Sequence, residues 1–203
     1  MLNSAPVRLA LQMRGEDFEW YQASHCDCYD PATRYLDRGC TACKHGYIYA
    51  DMGVKRGLVQ SERKMLLHPE FGLVRVSELY LTVFADDIPL APYDRIVLTA
   101  RTARARERIT PGEDVVPHEQ PVEMLRLTAG GTLYLPDTHY VFSPTTGAIT
   151  WMTTRPATVY SVDYTYHPEY WFLADDTRPP RPTVLSDAQT PLRGKLSITP
   201  PEG

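Results

Sequence analysis

The chain has 203 residues, 43% hydrophobic and 23% charged, and a formal net charge of −4. This is the composition of a soluble globular protein, with room for one domain with a sizeable core, or one domain and a small appendage. The acidic balance argues against a general nucleic-acid binder without excluding a local basic face, and no apolar run approaches transmembrane length.

Taken in chain order, Val7, Leu9, Leu11 and Met13 alternate with Arg8, Ala10 and Gln12, which predicts a half-buried strand. A second strand is expected over 17–23, then a cysteine loop from His25 to about Gly46, then a strand from Tyr47. Residues 58–67 read as strand in preference to a helical turn at 61–65, and two apolar stretches follow at 73–76 and 79–84. The segment 86–94 is rich in turn residues, and 95–100 is a clear strand. Arg104, Arg106 and Arg108 fall at period two, so on a strand all three share one face. The segment 110–121, with three prolines, reads as a loop. Gly130-Gly131 between two apolar runs signals a hairpin, and 143–147 signals another. The best alternation is at 158–166, ended by His167-Pro168, before the short apolar run 170–173. From Asp175 the composition shifts to Asp-Asp-Thr-Arg-Pro-Pro-Arg-Pro, so 175–203 reads as an extended C-terminal arm with one strand near 195–198. Ten or so short strands with regular turns predict an all-β fold. The expected form is a small barrel or sandwich over 1–174, with a zinc-knuckle loop inserted at 24–46.

All four cysteines lie in that loop, as Cys26-Asp27-Cys28 and, after eleven residues, Cys40-Thr41-Ala42-Cys43. Two close pairs facing each other across a short loop supply the four thiolates that a tetrahedral Zn²⁺ requires. Cys-x-x-Cys after Gly39 has ordinary knuckle spacing, whereas Cys-x-Cys is one residue tighter. His25 and His45 flank the cluster as substitute ligands. Two disulfides are disfavoured, because the chain start does not read as a signal peptide and the chain far exceeds small disulfide-stapled domains. A redox Cys-x-x-Cys would need a βαβ setting, and inert packing thiols do not gather in a polar loop. The expected ligands are therefore Cys26, Cys28, Cys40 and Cys43, and iron would accept the same geometry. With four thiolates no coordination position is left for water, so the metal would staple the loop without catalysing.

No catalytic constellation emerges, and no enzyme activity is expected. The chain has no phosphate-binding glycine loop, no Gly-x-Ser-x-Gly elbow and no His-Glu-x-x-His; His118-Glu119 runs into Gln120-Pro121, which would break the helix that motif needs. No His-x-Glu accompanies the Cys-x-x-Cys as a zinc deaminase would require. The six histidines are dispersed, and Asp86-Asp87 reads as a solvated turn. The arginine row has three readings: a phosphate track, a contact with acidic residues of a neighbouring subunit, or a solvated edge strand. The last two are favoured, because no aromatic residues interleave with the arginines.

Three segments together carry a resemblance. They are His25-Cys-Asp-Cys with Gly39-Cys-Thr-Ala-Cys43 and His45-Gly-Tyr-Ile48; Ile88-Pro-Leu-Ala-Pro-Tyr-Asp-Arg-Ile-Val-Leu98; and Tyr140 to Trp151 running into Tyr160–Tyr170. The combination resembles neck proteins of tailed bacteriophages, the head-to-tail joining class of stoppers and adaptors. The resemblance implies a non-enzymatic virion protein, assembled in the host cytoplasm, whose barrel forms a ring of six or twelve copies. Such a ring would meet portal or adaptor and tail proteins, surround the genome channel with possible contact to packaged DNA, and touch no membrane. The competing reading is a zinc-ribbon module gripping nucleic acid or a protein partner. Against it, Arg34, Arg38, Lys44 and His45 are offset by Asp27, Asp30 and Asp37.

Overall fold

The structure is a computed structural model that describes residues 5–30, 35–36, 40–44, 46–68, 72–84, 88–173 and 191–197. The chain divides into two compact units, one of residues 1–98 with 169–203 and one of residues 99–168.

The first unit opens with helix α1 (Ala5–Arg14), where alternation had predicted a strand. The residues explain the difference. Pro6 sits in the first turn, where its missing N–H costs nothing, and Leu9, Ala10, Leu11, Gln12 and Met13 are strong helix formers. The alternation is not used for burial either: Leu11 is 8% exposed, but Leu9 is 56% and Met13 74% exposed. Gly15 ends the helix by donating its N–H to the Leu11 carbonyl at 2.9 Å.

The all-β expectation holds, and the form is a barrel. The strands are β1 (Glu16–His25), the short β2 (Tyr29–Asp30) and β3 (Tyr35–Leu36), β4 (Tyr47–His68), β5 (Gly72–Phe84) and β6 (Arg95–Val97). Later segments add β13 (Glu169–Leu173) and β14 (Pro191–Ser197). Six of them close in the order β1-β4-β5-β14-β13-β6, each pairing antiparallel. Closure leaves these strands without a free edge along the shared register. Phe18 and Trp20 from β1, Leu81 and Val83 from β5, Ile96 and Phe172 fill the interior. Gly57 on β4 is a small residue by necessity, because a Cβ there would lie 2.7 Å from Leu81 Cδ1 and 2.9 Å from Phe18 Cε1. Past Ser61 and before Leu79, β4 and β5 pair only with each other among the described residues, from Glu62↔Glu78 to His68↔Gly72.

The second unit contains β7 (Ala103–Ile109), β8 (Pro121–Ala129), β9 (Thr132–Tyr134), β10 (Tyr140–Phe142), β11 (Ile149–Trp151) and β12 (Tyr160–Tyr166). A four-stranded sheet runs β7-β12-β8-β9, beside the separate hairpin β10-β11. Both expected hairpins form. Gly130 and Gly131 turn β8 into β9 with φ of 55° and 83°, the left-handed pair that a two-residue primed turn demands. Tyr160, Val162 and Tyr164 from β12 pack with Leu127, Tyr140 and Ile149 in a core of this unit's own.

The organisation is finer than one barrel over 1–174, because 99–168 builds its own core on its own sheet. The strand expected near 195–198 forms as part of β14, which inserts between β5 and β13 and completes the barrel, with Leu196 4% exposed in its core. The rest of 175–203 lies outside the described residues, as do Asp86 and Asp87.

Candidate metal centre

The cysteines sit where the β1–β4 pair ends. Its last register position is His25↔Tyr47, so Cys26 follows β1 directly while Lys44 forms a bridge with Tyr47. The Lys44 and Tyr47 N–H groups donate to each other's carbonyls at 2.9 and 3.0 Å, and Cys26 N–H donates to the Gly46 carbonyl at 2.8 Å. Gly46 takes a φ of 85° inside that tight return. One backbone clasp thus holds the start of the first cysteine pair against the end of the second. Between them β2 and β3 pair as a miniature hairpin, Tyr29↔Leu36 and Asp30↔Tyr35.

All four sulfurs lie within 4.8 Å of one another, with Cys26 to Cys40 at 3.9 Å and Cys28 to Cys43 at 3.3 Å. Four thiolates bound tetrahedrally at about 2.3 Å from a metal stand about 3.8 Å apart, which is this spacing. A disulfide would bring a pair to about 2.0 Å, and all four cysteines are free. Cys26 is buried and the other three are half-buried, so a metal here would sit between the clasp and solvent. The sulfurs pair closely as Cys26 with Cys40 and Cys28 with Cys43. The hydrogen bond with Cys43 pushes the Cys28 thiol up, while the Ala42 N–H pulls Cys40 below the ordinary thiol value. Crowding of this kind is what a cation relieves, because it replaces the thiol protons as the neutralising charge.

Among the described residues this is the single group of histidines, cysteines and carboxylates placed to hold a metal, and it contains the four cysteines alone. His25 is outside it, with its ring 4.9 Å from that of Tyr47, and His45 lies outside the described residues.

In sequence Lys44 stands out only as a basic residue of the loop, and its partners on the barrel do not stand out at all. Lys44 reaches Glu169 on β13 at 3.4 Å and lies over the Trp171 ring at 5.9 Å. Glu169 also pairs with Arg95 at 3.4 Å, and Arg95 stacks over Tyr21 at 4.0 Å. Trp171 Nε1 donates to Tyr49 Oη at 3.0 Å. Lys44 is therefore committed to the barrel wall, which removes one of the basic residues a nucleic-acid-gripping knuckle would use. Glu169 gives no signal in sequence, because it is separated from Lys44 by more than a hundred positions.

The arginine row lies on β7 as expected, with Arg104, Arg106 and Arg108 exposed on alternate positions. Its partner is internal to the unit. Asp163 on β12 is 3% exposed and takes a two-pronged hydrogen bond from Arg104 and a 3.2 Å contact from Arg106. His118 is turned inward, with Nδ1 2.5 Å from Tyr164 Oη and its ring stacked 3.7 Å from Tyr166.

No protein-family model matches the chain, and no curated protein matches it.

Proposed function

We propose that the chain is a non-enzymatic structural protein whose barrel is stapled by one Zn²⁺ on Cys26, Cys28, Cys40 and Cys43. The observation that carries the reading is the closed set of four sulfurs within 4.8 Å, clasped to the mouth of the β1–β4 pair. Zinc is the ion taken because it is the usual structural occupant of a closed four-cysteine knuckle; iron accepts the same geometry, and the mass of the bound ion separates the two. Consistent with the resemblance to phage neck proteins, the barrel assembles as a ring of six or twelve copies at the head–tail junction, between portal or adaptor and tail proteins. The supporting feature is the ribbon 62–68 with 72–78, whose strands have no further strand neighbour among the described residues. Ring subunits use heterologous contacts, and a two-stranded ribbon with open edges is one element that can make them.

Native mass spectrometry of the purified chain tests both parts at once. One zinc per chain in a discrete ring supports the reading. A metal-free chain with oxidised cysteines removes the staple, and a zinc-bound monomer at all concentrations removes the ring while leaving the staple.

A further inference from the structure

We infer that the arginine face of the four-stranded sheet in residues 99–168 binds the phosphodiester backbone of double-stranded nucleic acid. This binding surface is separate from the cysteine centre, and the inference does not depend on the ring.

The unit uses one kind of cation. Its six basic residues are all arginine, at 101, 104, 106, 108, 126 and 155, with no lysine. Arginine differs from lysine in offering a planar fork that matches an oxyanion with two parallel hydrogen bonds. Four of the six share the face opposite the tyrosine core, and the strand registers lay them out in three rows. Arg104 stands beside Thr165 and Glu123; Arg106 beside Asp163 and Arg126; Arg108 beside Ser161 and Thr128. Against four guanidiniums the face sets two carboxylates. One of these, Asp163, is already held by Arg104 and Arg106. Arg108 and Arg126 are exposed and have no ion-pair partner among the described residues.

A depression of about 220 Å³ opens in the middle of this face, lined by Arg106, Arg126, Thr128, Ser161, Val162 and Asp163. Two forks on its flanks and two hydroxyls in its lining are the donors that a phosphate oxygen takes. The site continues beyond the depression. Same-face residues repeat every ~6.7 Å along β7, about two axial steps of a nucleic-acid strand, so the arginines form a track.

The composition of the face separates this occupant from an acidic protein surface. Protein interfaces centre on aromatic or aliphatic anchors. These rows hold arginine, aspartate, glutamate, serine and threonine, bordered by two exposed apolar side chains, Leu133 beside Thr128 on the edge strand β9 and Leu125 in a bulge of β8, and by no aromatic anchor. Nor does the face present an aromatic platform for unstacked bases, so the contact is with the backbone of a duplex.

The test is fluorescence anisotropy of a labelled random-sequence 20-base-pair DNA with the full chain, from about 50 to 200 mM salt. The expected result is sequence-independent binding that weakens steeply with salt. R108A/R126A should lose affinity tenfold or more, and its log–log salt slope should fall by about two. Both residues are exposed and unpaired, so circular dichroism and melting of the variant should match the parent. R108E/R126E should abolish binding outright. The proposal is overturned if DNA does not bind at the lowest salt, or if the double alanine variant binds as the parent does. It is also overturned if polyglutamate binds more tightly than DNA, which would make the partner an acidic protein surface.

Discussion

Asp94 gathers three hydrogen-bond donors inside the barrel unit. It is fully buried, and its carboxylate accepts hydrogen bonds from Trp20 Nε1 and Ala23 N–H at 2.8 Å and from Ala91 N–H at 3.0 Å. Three donors from β1 and from the 88–94 connection therefore converge on one group. Asp94→Ala leaves all three without an acceptor, and the expected loss is on the order of 3 kcal/mol, read from urea unfolding. A loss below about 0.5 kcal/mol would show that water replaces the carboxylate and that the convergence is incidental. Asp163 sets a different dependence. The Arg104 fork holds its carboxyl down at about 2, with Arg106 adding to it against the opposing effect of burial. The unfolded chain, with an aspartate near 3.9, takes up the proton first as pH falls. The contribution is therefore complete above pH ~4 and is lost between ~4 and ~2. Asp163→Asn should flatten that part of the melting temperature–pH curve while the neutral-pH fold persists; an unchanged acid limb would assign it to other carboxylates.

At the scale of elements, legibility followed the physics that each segment obeys. The hairpins at 130–131 and 143–147 were readable because turn chemistry is local, and Arg104, Arg106 and Arg108 kept their predicted shared face because period two is a backbone property. That the four cysteines gather was readable as well, since the spacing of close pairs within a loop is short-range information. Helix α1 was misread because alternation over seven residues competes with helix propensity, and nothing local says that Leu9 and Met13 go unburied. Asp163 and Glu169 were invisible because their partners are 57 or more positions away. So was the role of β14, whose place is fixed only when the barrel closes around it. Gly57 is another long-range choice: the side chains that exclude a Cβ come from β1 and β5. Gly57→Val forces Phe18 or Leu81 from the core, and a destabilisation of about 1–3 kcal/mol is expected in thermal or urea unfolding. Gly57→Ala should cost less. Equal stability of all three proteins would mean that the barrel interior is loosely filled at that level.

For the whole molecule the consequential fact is that one chain maintains two cores. The barrel has Phe18, Trp20 and Phe172 at its centre, and residues 99–168 have Tyr160, Val162 and Tyr164 at theirs. The four-cysteine cluster belongs to the first unit alone, through Cys26 just after β1 and the Lys44 bridge to the start of β4. A bound ion stabilises only the folded form that presents all four thiolates, so its removal acts on the unit whose loop it closes. Chelation, or Cys40→Ser, should therefore raise amide exchange along β1 and the first half of β4 by tenfold or more, while β8 and β12 exchange as before. Trp20 and Trp171 lie in one unit and Trp151 in the other, so single-tryptophan variants give a second readout of the same asymmetry. Uniform loss of protection in both units would mean that the staple governs global folding. No change in either would mean that the backbone clasp at Gly46 and Tyr47 holds the loop without an ion.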